Sequence, residues 1–233
     1  MRPHRYNEGV HELDESLDER GYALLPQLLM PEDCHALTAR WDEAELFRKR
    51  IVMQRHGFGQ GEYRYFDYPL PQLVQRLRES LYAELAPLAN RWRERLRQPA
   101  DFPATLAPYL AKCHAGGQTR PTPLMLRYEA GDYNCLHQDL YGALVFPVQL
   151  TILLSDPASD FTGGEFLLVE QRPRAQSRGE VVPLAQGDAV AFAVRERPRL
   201  GTRGYHRAKL RHGVSRVRSG LRFTLGIIFH DAA

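Results

Sequence analysis

A histidine and an aspartate two positions apart, His137-Gln138-Asp139, are the residues in this sequence best suited to chemistry. On an extended segment, residues two apart point to the same side, so this imidazole and carboxylate can share one metal ion. A further histidine from a distant strand would complete a face of two histidines and one carboxylate, leaving three coordination positions open. His212, followed by Gly213-Val214 in a strand-like stretch, is the expected third ligand, with His206 as the alternative on the same stretch. His56, His114 and His230 read as structural or solvated histidines.

Ten residues beyond His212 stands Arg222, in Gly220-Leu-Arg-Phe-Thr224. A guanidinium holds a carboxylate through two parallel hydrogen bonds. The acid this suits is 2-oxoglutarate, bound at its far carboxylate by Arg222 while its oxo group and near carboxylate take two metal positions and O2 takes the third. Thr224, two residues on, can donate its hydroxyl to the same carboxylate. The chemistry expected of this set is therefore that of a non-haem Fe(II) centre using 2-oxoglutarate and O2.

The stretch from Leu126 to Phe229 resembles the Fe(II)/2-oxoglutarate-dependent dioxygenases. RYEAGDYNCLHQD is similar to the strand of prolyl-hydroxylase-like members that carries a tyrosine nine residues before the first ligand. The resemblance implies that this residue, Tyr128, hydrogen-bonds the co-substrate. Gly163-Gly164-Glu165-Phe166 resembles the family's turn into a barrel strand, and VVPLAQGDAVAFAV its strand, Gly-Asp, strand element. RHGVSRVRSGLRF resembles its His-x-Val followed by Gly-x-Arg. More narrowly, HQDLYG and RHGVSRVRSGLRFTLGIIFHDA resemble a small prokaryotic oxygenase family described as acting oxidatively on damaged, methylated DNA. That resemblance implies a methylated base in single-stranded or damaged nucleic acid as substrate. A hydroxylase of a protein side chain or small metabolite, and a non-catalytic jelly-roll binding module, stand as alternatives.

Two kinds of element must position these residues. Residues 10–20 read as a short helix ended by Gly21, and residues 22–29 as extended. Pro31 suits the first position of a new helix, whose core face would be Leu37, Trp41, Ala44 and Phe47. Longer helical patterns occupy 71–97, with Pro87 inside, and 103–114. Between them, residues 56–69 alternate glycines with aromatics. Phe58, Tyr63, Tyr65, Phe66 and Tyr68 there would either line a substrate site or pack the barrel mouth. From Thr122 the pattern turns to short β-rich runs divided by Gly, Pro or Asp. Helices followed by strands predict an α+β fold, a double-stranded β-helix (jelly roll) braced by N-terminal helices. The expected organisation is a single domain, with helical support over 1–121 and the barrel over 122–233.

Composition sets the outer limits. The chain has 233 residues, 43% hydrophobic and 25% charged, which suits one globular core. Without a membrane-length apolar run or an apolar leader, the expected location is the cytoplasm, with no membrane partner. Cys34, Cys113 and Cys135 form no CxxC pair. They are expected to be reduced, the first two packed on helices and Cys135 a small buried residue near the metal. The net charge of +3 is modest, but ten Arg and Lys residues from Arg195 to Arg222 face one acid, Glu196. Such a strip either meets phosphates or is an ordinary arginine-rich surface.

Overall fold

The β-rich runs fold into two facing antiparallel sheets, and the helices cover one of them. The computed structural model describes residues 6–233. Its helices are α1 (Tyr6–Arg20), α2 (Pro31–Ala39), α3 (Gln72–Arg95) and α4 (Leu106–Ala115). The strands are β1 (Tyr22–Leu25), β2 (Phe47–Val52), β3 (Gly59–Gln60), β4 (Glu62–Phe66), β5 (Leu124–Glu129), β6 (Tyr133–His137) and β7 (Val148–Leu153). They continue with β8 (Phe161–Gly163), β9 (Phe166–Gln171), β10 (Arg178–Val182), β11 (Ala189–Ala193), β12 (Glu196–Gly201), β13 (Gly204–Val214) and β14 (Val217–Ile227). The major sheet runs β1-β11-β7-β14-β5-β4-β2, with β8 also on β14. The minor sheet runs β10-β9-β13-β6-β3, with β12 also on β13. This is the double-stranded β-helix, or jelly roll, of an α+β fold braced by helices. None of the described helices is long and apolar enough to cross a membrane.

Alternation along the central strands separates two environments. One face of the major sheet carries Met125, Leu150, Ile152, Leu225 and Ile227, which share the main core with Leu81, Leu85, Leu88 and Trp92 of α3. The other face carries Tyr128, Gln149, Arg222 and Thr224, all buried and almost all polar. A buried polar face is expensive unless it has partners or a ligand, so the interior of the barrel is the place to look for function.

Two sequence expectations change here. The helix begun by Pro31 stops at Ala39 and does not continue to Phe47. Trp41 is still buried and packs edge-on to Phe223, but Ala44 is exposed and Phe47 opens β2, which pairs along β4. The extended stretch after Gly21 forms β1 on β11, and beyond it the first half also contributes β4, paired with β5, and β3, paired with β6. The latter two are too short, or too interrupted by glycine, for their alternation to stand out in sequence.

The C-terminal turn is tied to α3 by charge. Arg78 and Asp231, both fully buried, pair at 2.7 Å. Arg78 also donates to the Ile228 and Phe229 carbonyls, and Asp231 accepts from Tyr68 Oη and pairs with His114 Nε2. Asp231→Ala would strand a buried guanidinium, at a cost of about 3 kcal/mol and a fall in Tm on the order of 10 °C. The double change Arg78→Met with Asp231→Leu leaves no unpaired charge and is expected to melt higher than the single variant. Thermal melts of the two proteins check the order.

Candidate metal centre

His137 ends β6 and lies directly across from His212 on β13. This cross-strand pairing brings the two rings to 4.1 Å between centroids. Asp139 comes next, in the coil after β6, so the pair is not held by strand alternation alone as the spacing had implied. Its carboxylate lies between the rings, with Oδ1 3.5 Å from His137 Nε2 and Oδ2 3.2 Å from His212 Nε2. One donor atom from each of the three residues falls within 4.8 Å of the others, a separation that a single metal ion can bridge. His206 sits higher on β13 against Gly201, His56 stacks on Phe58, and His114 and His230 lie at the C-terminal turn. None of these four belongs to the cluster.

Hydrogen bonds orient the donors; at His137 burial pulls the pKa down, but the bond to Asp139 and its charge outweigh that and raise it. His137 Nδ1 lies 2.8 Å from the Cys135 carbonyl, which fixes the proton there and frees Nε2. Burial pushes the Asp139 carboxyl up, but the bonds and charges of both histidines outweigh it and hold it well below the usual carboxylate range. Burial, helped by the charge of His137, pushes the His212 pKa down from its ordinary value. Phe192 and Phe166 pack at 4.6 and 6.1 Å from the His212 ring and keep water from it.

Two further residues hold the carboxylate, and sequence reasoning missed both. Tyr141 Oη donates to Asp139 Oδ1 at 2.7 Å, and Gln149 Nε2 donates to Oδ2 at 2.8 Å. Gln149 had a signal: it is the single polar residue in the run FPVQLTILL before its threonine, and a buried amide in an apolar strand must have a partner. Tyr141 had none beyond its place two residues after Asp139.

On the facing sheet, Arg222 on β14 lies directly across from Tyr128 on β5, and Thr224 two residues along shares their face. Arg222 is buried, yet its Nε and Nη1 have no hydrogen-bond partner among the described residues. Its guanidinium is 5.6 Å from the Tyr128 ring and 5.7 Å from the Phe161 ring. Gly164 makes the space: its φ is +64°, and a Cβ there would lie 2.8 Å from Arg222 Cδ. Tyr128 Oη accepts from Asn134 Nδ2 at 3.3 Å, which ties the major sheet to β6. A buried cation with free donors, beside a converging set of two imidazoles and a carboxylate, fits a dicarboxylate bound to a metal ion.

Of the five aromatics singled out in sequence, two face this interior. Tyr63 and Tyr65 alternate inward on β4, and Tyr65 meets Tyr141 edge to face at 6.0 Å. Phe66 stacks on Phe47 in the main core, Tyr68 is bonded to Asp231, and Phe58 is exposed. Cys34 and Cys113 are buried on their helices, but Cys135 is exposed, because β6 has only the two-residue β3 beside it on that edge.

The basic strip does not form one surface. Arg197 is buried, bonded to Glu170 and to the carbonyls of Asp18 and Glu19 at the end of α1. Arg199 pairs with Glu170 and Arg207 with Glu196, while Arg222 faces the interior. Arg207, Lys209 and Arg211 form an exposed row on β13, on the face opposite His212.

Comparison with known proteins gives the family and the fold. Residues 61–232 match a family described as "Oxygenase-NA: Oxygenase, catalysing oxidative methylation of damaged DNA". A Mycobacterium tuberculosis protein, "Uncharacterized protein Rv2227", is 54% identical over 168 residues, 72% of each chain. A prolyl-4-hydroxylase of Pseudomonas putida shares the fold at a TM-score of 0.56 and 15% identity, covering 96% of this chain and 100% of that one. A Trichoplax adhaerens prolyl hydroxylase, in complex with a hypoxia inducible factor peptide fragment, does so at 0.59 and 11%, covering 99% and 94%.

Proposed function

The chain belongs to the family of oxygenases described as catalysing oxidative methylation of damaged DNA, and from that membership we propose an Fe(II)- and 2-oxoglutarate-dependent dioxygenase whose metal is held by His137, Asp139 and His212. The observation that carries this reading is the convergence of those three donors on a barrel interior that also holds a buried, unpartnered guanidinium. Two histidines and one carboxylate, with positions left open, are the donor set of Fe(II) oxygenases.

In this reading each residue has one task. Tyr141 and Gln149 fix the orientation of the Asp139 carboxylate, and the Cys135 carbonyl fixes the tautomer of His137. The free Nε and Nη1 of Arg222 would take the far carboxylate of 2-oxoglutarate, with the Tyr128 and Thr224 hydroxyls on the same face. The bound metal and co-substrate supply oxidation of a substrate C–H bond by O2, with 2-oxoglutarate converted to succinate and CO2.

The substrate we propose is a methylated base in single-stranded or damaged nucleic acid. Support comes from the family's description and from Tyr63, Tyr65 and Tyr141, an aromatic set beside Asp139 of the kind that borders a planar base. Hydroxylation of an N-methyl group would release formaldehyde and leave the base demethylated.

Adding Fe(II) and 2-oxoglutarate together without oxygen is expected to give a weak visible absorption band that neither gives alone. Admitting O2 should then yield succinate, faster with a methylated oligonucleotide than with peptides or free amino acids. No band and no succinate would rule the assignment out, and stimulation by peptide in place of oligonucleotide would move the substrate to a protein side chain.

A further inference from the structure

On the far side of Tyr65 and Tyr141 from Asp139 lies a surface cleft of about 380 Å³ lined by Arg48, Lys49, Asp67, Tyr68, Arg120 and Pro121. We infer that this cleft binds a backbone phosphate of a single nucleic-acid strand, next to the base that enters the barrel; the inference rests on the oxygenase reading above.

The local structure explains why cations gather here. β2 is the edge strand of the major sheet, and its register against β4 shifts between Phe47 and Lys49. Such a bulge puts two successive side chains toward one face. Lys49 lies directly across from Tyr65, and the Arg48 guanidinium covers the Tyr65 ring at 4.5 Å. Arg48 Nε donates to the Pro121 carbonyl at 2.8 Å, which aims the rest of the group at the cleft. Arg120 is placed by its backbone pairing with Ala232.

These three cations have no ion-pair partner among the described residues, whereas Arg50, Arg64 and Arg127 nearby all share Glu62. Burial and the nearby charge of Arg120 both push the Arg48 guanidinium down from its ordinary pKa, against the charges of Asp67 on the cleft wall and Asp231 beneath it. An anion held between Arg48 and Arg120 would relieve the repulsion of the two charges.

The neighbouring aromatics favour a nucleic-acid strand over other anions. Tyr65 forms a shared wall, with Arg48 over its ring on the cleft side and Tyr141 edge-on to it toward the interior. Tyr141 in turn is bonded to Asp139. Cations therefore line one side of Tyr65, and Tyr141, bonded to a candidate ligand, packs on the other. Alternating negative charge and planar rings are what a single strand presents, and a base held in a duplex could not reach the interior.

The test is the binding of a fluorescent single-stranded oligonucleotide to the full chain, with and without Fe(II), over a range of salt. Lys49→Ala and Arg120→Ala, both at exposed positions, are each expected to weaken binding roughly tenfold. Each should also lower the slope of log affinity against log salt by about 0.7. Lys209→Ala, on the outer row of β13, should stay within about twofold of the parent. Wild-type affinity and slope in both cleft variants would overturn the inference, as would an equal loss in Lys209→Ala. So would competition by an acidic peptide as effective as that by unlabelled oligonucleotide. The oxygenase reading fails separately, if the wild-type chain makes no succinate with Fe(II) and 2-oxoglutarate. Strand binding by the metal-free chain would be scored independently of that result.

Discussion

Asp139→Ala is expected to lower Fe(II) affinity by more than about a hundredfold and to remove 2-oxoglutarate turnover, while the barrel stays folded. Replacing a residue that merely supports a ligand costs about ten- to a hundredfold in metal affinity, and Asp139 is placed as a ligand itself. It is also the one negative charge in a cluster with two imidazoles, so its loss leaves an incoming Fe(II) without a counter-charge. The Tyr141 hydroxyl and the Gln149 amide would lose their acceptor at the same time. Those are neutral groups near the barrel mouth, and the expected stability cost is about 1 to 3 kcal/mol, too small to unfold the chain. Anaerobic dialysis against Fe(II), followed by metal analysis, measures the effect directly. Wild-type iron content in the folded variant would remove Asp139 from the ligand set and with it the proposed centre.

How much of this was legible in sequence depended on the range of the signal. The ligand residues could be named because their types are rare in strands and their spacing recurs, and Arg222 because it follows His212 at a fixed interval. The reason they meet was only partly legible. His137 and Asp139 come together through a strand end and a coil, and His137 meets His212 through cross-strand pairing that no local pattern encodes. Gln149 shows the same limit from the other side, since its burial was readable but the identity of its partner was not.

The fold divides in a similar way. Alternation marked the long central strands, because each has a helix-covered apolar face and an inward face. β2 and β3 could not be foreseen. Arg48-Lys49-Arg50 is too polar to read as a buried strand, and Gly59-Gln60 too short, yet pairing with β4 and β6 orders both. The basic strip could not be resolved in sequence for the opposite reason. Charge counted along the chain ignores which way each side chain points, and alternation on β12 and β13 sends Arg197 inward to Glu170 and Lys209 outward to solvent. The cations that do share one cleft come from segments far apart in sequence, Arg48 and Lys49 with Arg120.

Arg222→Met should make the ligand-free protein more stable and at the same time unable to respond to 2-oxoglutarate. The guanidinium is buried with two donors unpartnered, and burial pushes its pKa down to about 10. At every pH below that value the folded chain holds a cation that unfolding would return to water, so the penalty is fully present at neutral pH. The Tyr128 and Phe161 rings and the more distant Glu165 offset only part of it. Methionine fills similar space without charge, and such replacements of buried ionic groups are neutral or stabilising by about 1 to 4 kcal/mol, several degrees in Tm at this size. With 2-oxoglutarate the order should reverse. The wild-type protein gains stability by mass action, whereas the variant loses about a hundredfold or more in affinity for the acid. Melting curves of both proteins, with Fe(II) present and with or without 2-oxoglutarate, contain the whole test. A variant that melts lower than wild type without the acid, and whose Tm still rises when it is added, would mean that Arg222 holds the barrel together and that the carboxylate binds elsewhere. The expected crossing of the two curves would mean that the chain keeps an unsatisfied cation in its core because the co-substrate completes it.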